Sequence, residues 1–274
     1  MEFTSEVAVS VKRSPAEALK TALSKLSVPI VPPINTERVI VKPSIYDPSL
    51  PCNTDVNMVR AVTRMFKSLS PVKIVESDNP RRTTADAFSR SGYNALIEQD
   101  VELVNLTDLD MVPITFPGHY FKNRRMPNLF GPGGFLINVA TLKAEPEICT
   151  IGAGIKNLFG LLPELEKSVY HSSIDSVLMD LLSIYRPHLS IIDLTQLVVG
   201  NRKDGRVKQV GGVVVGTDPV AVDAYCASLL GYDPLKISYL NTANKLGLGE
   251  ILIDLIRVSG TEHQIEELAK LCKI

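Results

Sequence analysis

The sequence predicts an α/β protein: a mostly parallel sheet with helices on both faces and one irregular loop insertion. Short runs rich in Val, Ile and Leu alternate with segments of helical apolar period along most of the chain. Several of those runs are apolar almost continuously, as strands covered on both faces are. The 274 residues suffice for one large core or two smaller ones. The expectation is therefore one unit over 1–274, with a division into lobes at 1–150 and 151–274 left open.

The elements follow in order. EVAVSVK (6–12) reads as a strand. SPAEALKTALSKL then opens a helix, with Ser14 as cap, Pro15 in the first turn and Glu17 placed for a capping box. Its Leu19, Ala22, Leu23 and Leu26 form one apolar stripe. After the strand RVIVKP (38–43), TDVNMVRAVTRMFKSL repeats the pattern from Thr54 through Val59, Val62, Phe66 and Leu69. VKIVES (72–77), VELVNL (101–106) and FLINVA (135–140) continue the strands, and Ile174, Val177, Leu178, Leu181, Leu182 and Tyr185 mark a third helix. HLSIIDLT (188–195) and GGVVVG (211–216) follow, before a largely apolar helix opening at GTDPVAVDA. From Pro113 to Gly134 no strand or helix period survives in a Pro- and Gly-rich stretch. A binding loop or lid is expected there, with a hairpin excursion or subunit contact as the alternative.

Acidic and basic residues nearly cancel, leaving a net charge of −1. That balance supports neither a nucleic-acid groove nor a membrane-surface patch. No apolar run approaches the ~20 residues that cross a bilayer, and the N-terminus lacks a signal-peptide pattern. A cytosolic protein with no nucleic-acid or membrane partner is expected. Cys52, Cys149, Cys226 and Cys272 are scattered without a CxxC pair or a ferredoxin-type run, so no intrinsic iron–sulphur cluster is expected and the cofactor stays open.

In such sheets ligands gather at the carboxyl ends of strands, and four loops there carry polar residues. The first offers Lys42, Cys52, Asn53 and Thr54; a thiol near a helix start is activated toward the thiolate, and the start itself favours anions. Thr54 also fits a plain helix cap. The second offers Asp78 with Arg81 and Arg82, suited to gripping a phosphate or carboxylate or to surface ion pairs. The third runs from Asn138 and Lys143 to Lys156 and Asn157 in GAGIKNLFG. Its small residues permit close backbone approach, but no Walker A or GxGxxG pattern is present. The fourth holds Asp218, placed as an N-cap before Pro219, and Asp223, inside an apolar helix. Lys156 and Asp223 both lie among glycines, alanines and aliphatics, where an unpartnered ion costs several kcal/mol, so each needs a partner. A direct pairing of Asp223 with Lys156 or Lys143 is one expectation. His171 is the candidate acid–base residue; no metal-ligand spacing is present.

KPS…CNTD, SDNP, NVATLK, GIKNLFG, KSVYH, HLSIIDL, GTDPVAVDA and GYDPLKISYLNTANKLGLG, in that order, resemble the uncharacterised DUF362 family over roughly residues 38 to 249. Some members carry a ferredoxin-type module, which implies redox settings for those members. Members often read Lys-Thr-His where Lys143 is followed here by Ala144 and Glu145. A fainter likeness joins SDNPRRTT to lactate-racemase-like nickel-pincer proteins.

The leading expectation is an enzyme or binder acting on a small anionic metabolite. Lys42, Lys143, Lys156, Arg81 and Arg82 would hold the anion, Asp223 and His171 would orient groups or move protons, and Cys52 would be a nucleophile. The rival is a non-catalytic partner of a redox or iron–sulphur system, docking through 113–134. A third reading keeps the charges as a structural ion-pair network.

Overall fold

The computed structural model describes residues 3–145 and 149–274; residues 146–148 of the third loop lie outside the described residues. In chain order the elements are β1 (Ser5–Val11), α1 (Pro15–Leu23), β2 (Arg38–Pro43), α2 (Val56–Phe66), β3 (Val72–Glu76), α3 (Thr84–Arg90) and β4 (Val101–Asn105). The hairpin β5 (Met111–Thr115) and β6 (Asn123–Pro127) comes next, then β7 (Gly134–Glu145), β8 (Thr150–Gly152), α4 (Gly154–Asn157) and α5 (Ile174–Ile184). The chain closes with β9 (Leu189–Val199), β10 (Arg206–Gly216), α6 (Pro219–Leu230), α7 (Ser238–Lys245), β11 (Ile256–Ser259) and α8 (Glu262–Cys272).

The nine-stranded sheet runs β11-β1-β10-β9-β7-β2-β3-β4, with β8 pairing off β7. β10 is antiparallel to β1 and β9, and β8 to β7; the remaining pairings are parallel. The fold is thus α/β with a mostly parallel sheet. Strand alternation splits the core. Val39 and Val41 of β2 face Leu19, Met58, Val62 and Phe66 of α1 and α2, whereas Ile40 belongs with the apolar faces of α5 to α8. α6 is buried on nearly every side, which is why its sequence shows no polar face.

Four details differ from expectation. α2 begins at Val56 and is capped by Asp55, whose carboxylate accepts Asn57 N–H. Thr54 is turned inward instead, accepting from Ser44 N–H at 2.8 Å and donating to Val139 O at 2.7 Å. Leu69 lies past the helix end and is exposed. β7 and β10 outrun their most apolar segments because ladder pairing continues through polar residues.

The Pro113–Gly134 stretch is not irregular throughout: β5 and β6 pair antiparallel, with Pro113 opposite Arg125. A two-stranded sheet tolerates the missing proline donor at an edge. The buried Asp180 of α5 holds the hairpin tip, accepting the N–H groups of His119, Tyr120 and Phe121 at 3.1, 2.8 and 2.6 Å.

Candidate functional site

A cavity of about 480 Å³ opens at the carboxyl ends of β2, β3 and β7, walled by the β8–α4 segment, the loop before α5 and the β9–β10 turn. Eight Lys and Arg side chains line it against three Glu. Lys42, Arg81, Arg82, Lys143, Lys156, Asn157 and His171 all reach the lining.

Its floor is a buried charge cluster. Lys42 is the penultimate residue of β2 and Glu76 ends the neighbouring β3, so parallel pairing brings opposite charges to one rim. Lys42 Nζ donates to Glu76 Oε1 at 2.5 Å and to Pro43 O at 2.6 Å, and Arg82 Nη2 approaches Glu76 Oε2 at 3.1 Å. Arg82 also donates to the Ser77 and Ile45 carbonyls. Burial pushes the Glu76 carboxyl up, but the charges of Lys42 and Arg82 outweigh it and leave it below its ordinary value. Burial likewise draws Lys42 down, with Glu76 pulling against it. Gly160 leaves room beside this cluster: a Cβ there would lie 2.9 Å from Lys42 Cε and Nζ.

The GAGIKNLFG segment is held from behind. Asp223 accepts Gly154 N–H at 2.8 Å, Ile155 N–H at 2.9 Å and the Tyr239 hydroxyl at 3.1 Å. The expected pairing with Lys156 or Lys143 is therefore replaced by backbone donors, which satisfy a buried carboxylate at fixed geometry. Burial pushes its carboxyl up to about 7 even against those three donors. A Cβ on Gly154 would sit 2.9 Å from Asp223 Oδ1. Asn138 Nδ2 donates to Gly154 O at 2.7 Å, and Asn157 Nδ2 bridges to Asn138 Oδ1 at 2.8 Å and to Lys42 O at 3.1 Å. Asn138 and Asp223 thus position the loop from outside the cavity lining.

Several cations facing the cavity lack an acidic partner among the described residues. Lys143 is 3% exposed, and its Nζ donates to Thr141 Oγ1; burial, helped by the charge of Arg202, lowers its pKa to about 8. Lys156 stands 4.1 Å from the Phe159 ring centroid, a cation–π contact, with its pKa lowered by burial. Lys167 donates to Asp78 O at 2.6 Å and is likewise brought to about 8, chiefly by burial. His171 packs against Phe159 at 5.6 Å, its pKa lowered by burial and then by the Lys156 charge.

Other predicted residues serve the scaffold. Cys52 is buried at φ +61°, with its Sγ facing Leu142 O at 3.3 Å, and Asn53, Thr54 and Asp55 separate it from α2. The helix-start activation expected for its thiol therefore has no geometric basis. Asn53 braces its own loop through Tyr46 N–H and the Asp47 and Leu50 carbonyls. Asp78 accepts Thr84 N–H at 2.6 Å. Asp218 caps α6 and accepts from Ser5 and Glu250, outside the cavity lining. Arg81 pairs with Asp47 at 2.7 Å. Among the described residues no three His, Cys, Asp or Glu cluster to hold a metal.

Sequence reasoning missed Glu76, Lys167, Arg202 and Asp193. Glu76 carried the same signal as Lys42, a charge closing a buried strand. Asp193 lies where β9 shifts register against β7, and its carboxylate accepts Asp55 N–H at 2.7 Å.

The family model described as Domain of unknown function (DUF362) matches residues 39–228, and the chain belongs to that family. Every residue lining the cavity falls within the match. A curated relative, thylakoid-associated protein sll1697 of Synechocystis sp., is 25% identical over 238 residues, covering 80% of this chain and 71% of that protein.

Proposed function

We propose that this family member binds a small anionic metabolite in the strand-end cavity, as an enzyme or an enzyme-derived binder. The observation that carries the reading is the excess of cations: the buried Lys143 and the half-buried Lys156 face the cavity with no acidic partner among the described residues. Such ammonium groups are poorly compensated until an anion arrives. Lys42 and Arg82, which share the Glu76 carboxylate, set the floor, while Lys143, Lys156 and Lys167 supply charge with no carboxylate partner among the described residues. His171 is placed to exchange a proton with a bound ligand. The aromatic and aliphatic part of the wall (Tyr46, Phe159, Leu165) suits the carbon body of such a molecule.

Calorimetric titration with phosphate, pyrophosphate, oxalate and citrate tests the reading. At least one should bind saturably, more weakly as salt rises and more weakly in Lys156→Met. A flat titration for all four at low salt would remove it.

A second reading keeps the chain as a docking partner of a redox system, consistent with the cytosolic expectation or with peripheral attachment to a membrane, as the relative's name suggests for that protein. In its favour, the β5–β6 hairpin presents Val112 and the tip residue Tyr120 to solvent while Asp180 fixes the tip. No helix among the described residues is long and apolar enough to cross a membrane. Pull-down with the intact chain and with Tyr120→Ser separates the readings: capture lost with anion binding intact favours docking.

A further inference from the structure

Two cationic side chains in the cavity leave bonding capacity unused on adjoining walls. Lys143 projects from β7 into the lining although it is 3% exposed. Its amine donates to Thr141 Oγ1, and that hydroxyl's own proton goes to Cys52 O at 3.0 Å. Glu145, two residues on, is engaged by Arg202 Nε at 3.3 Å. One neutral acceptor is thus the only hydrogen-bond partner of the Lys143 ammonium among the described residues. An ammonium so poorly compensated gives up its proton more readily than an exposed lysine, and the free amine is a nucleophile. Burial accordingly brings its pKa down to about 8.

Arg202 supplies the second observation. Its guanidinium is fixed by Glu145 on one side and lies 5.0 Å from the Tyr46 ring centroid. Yet its Nη1 is buried with no hydrogen-bond partner in the described structure. A buried, immobilised guanidinium edge without an acceptor is a ready seat for a carboxylate or phosphate oxygen. Gly152 lies opposite Lys143 in the β7–β8 ladder. A Cβ at position 152 would stand 3.7 Å from Lys143 Cβ and 3.8 Å from Cδ, so the glycine leaves that flank of the lysine chain uncovered.

We infer that Lys143 forms an imine with a small aldehyde or ketone bearing a carboxylate or phosphate, whose anionic group rests on Arg202 and Lys156. The inference rests on the anion-binding reading above and names the substrate class for the same cavity. The amine nitrogen attacks the carbonyl carbon, and the C=O pair moves to oxygen. The carbinolamine then loses water, which carries away the former carbonyl oxygen and both amine hydrogens. A C=N bond replaces the C=O bond, and nothing is oxidised or reduced. Lys42 cannot take this role, since its ammonium is held by Glu76.

The test treats the full chain separately with pyruvate and with dihydroxyacetone phosphate, adds borohydride to fix any imine, and maps the adduct by peptide mass spectrometry. Oxalate and phosphate binding is measured in parallel by calorimetry. The expected result is an adduct at Lys143 well above that at the exposed Lys236, with one probe or both identifying carboxylate or phosphate as the preferred anion. Oxalate or phosphate should suppress it, and Lys143→Arg should abolish it. Arg202→Met should lower its yield about tenfold, the worth of one charge-assisted hydrogen bond. Anion binding without a Lys143 adduct would overturn the imine and leave the anion reading standing. An adduct that neither anion suppresses would overturn the assigned orientation. Absence of both binding and adduct would overturn both readings. Mapping the adduct in the unaltered chain keeps the test decisive even where a variant fails to fold.

Discussion

The Asp223 carboxylate fills the space that a side chain at residue 154 would occupy: its Oδ1 accepts Gly154 N–H at 2.8 Å and would lie 2.9 Å from a Cβ there. Gly154→Ala should therefore displace the carboxylate or the loop. A loss of about 1–3 kcal/mol in denaturant melts is expected, the usual cost of overpacking. Lys156 follows Gly154 by two residues, so anion affinity should fall as well; calorimetry on the folded variant checks that.

Asp223 should also make stability depend on pH. Burial pushes its carboxyl from the ordinary 3.8 up to about 7, so the native state holds the extra proton between the two. Its own contribution to stability should be fully present below about pH 4 and be lost as pH rises toward about 7, by up to ~1.4 kcal/mol per pH unit. Asp223→Asn should remove that slope in urea melts taken across the range. An unchanged slope would assign the titration elsewhere.

Glu76 is shared by Lys42 and Arg82, so the cluster should respond asymmetrically. Glu76→Gln strands two buried cations and should cost ~3–5 kcal/mol. Lys42→Met leaves Glu76 still facing Arg82 and should cost less. Equal losses in thermal melts of the two variants would contradict this reading of the cluster.

Lys143 and Lys167, both near 8, should regain charge when an anion binds. Binding at pH 8 to 9 should take up protons, visible as a dependence of the calorimetric heat on buffer ionisation enthalpy. Affinity should weaken as pH rises through about 8, because the free lysines lose their charge. A pH-independent affinity would exclude them from the binding groups.

Asp180→Ala should leave three hairpin N–H groups without their acceptor, at a cost of about 3 kcal/mol. Hydrogen exchange should accelerate at His119, Tyr120 and Phe121, with the amides of Gly154 and Ile155 unchanged.

Much of the fold was legible because apolar period and strand burial are local properties. RVIVKP appears as β2 with the boundaries its sequence suggests, and the Asp218–Pro219 start of α6 was written in its capping chemistry. The cavity was legible only in part. Lys156 stood out as a charge in apolar surroundings, Lys42 and Lys143 as polar residues at strand ends, and strand order brought all three to one lining. Their partners were not legible, because pairing across strands depends on sheet order rather than on sequence distance. Asp223 illustrates this: it needed compensation, as its surroundings implied, but the donors were two amides. Cys52 fails for a different reason. Two residues intervene between it and the Asp55 cap, and its backbone turns the thiol toward β7.

Gly160 and Lys42 fit together as a lock fits one key, and the same holds for Gly154 with Asp223. Homologues should therefore change each pair jointly. Where alanine replaces the first member, a shorter side chain should stand at the second, a correlated signature readable from an alignment alone. Its presence would identify which relatives have kept this cavity and which have filled it for another purpose.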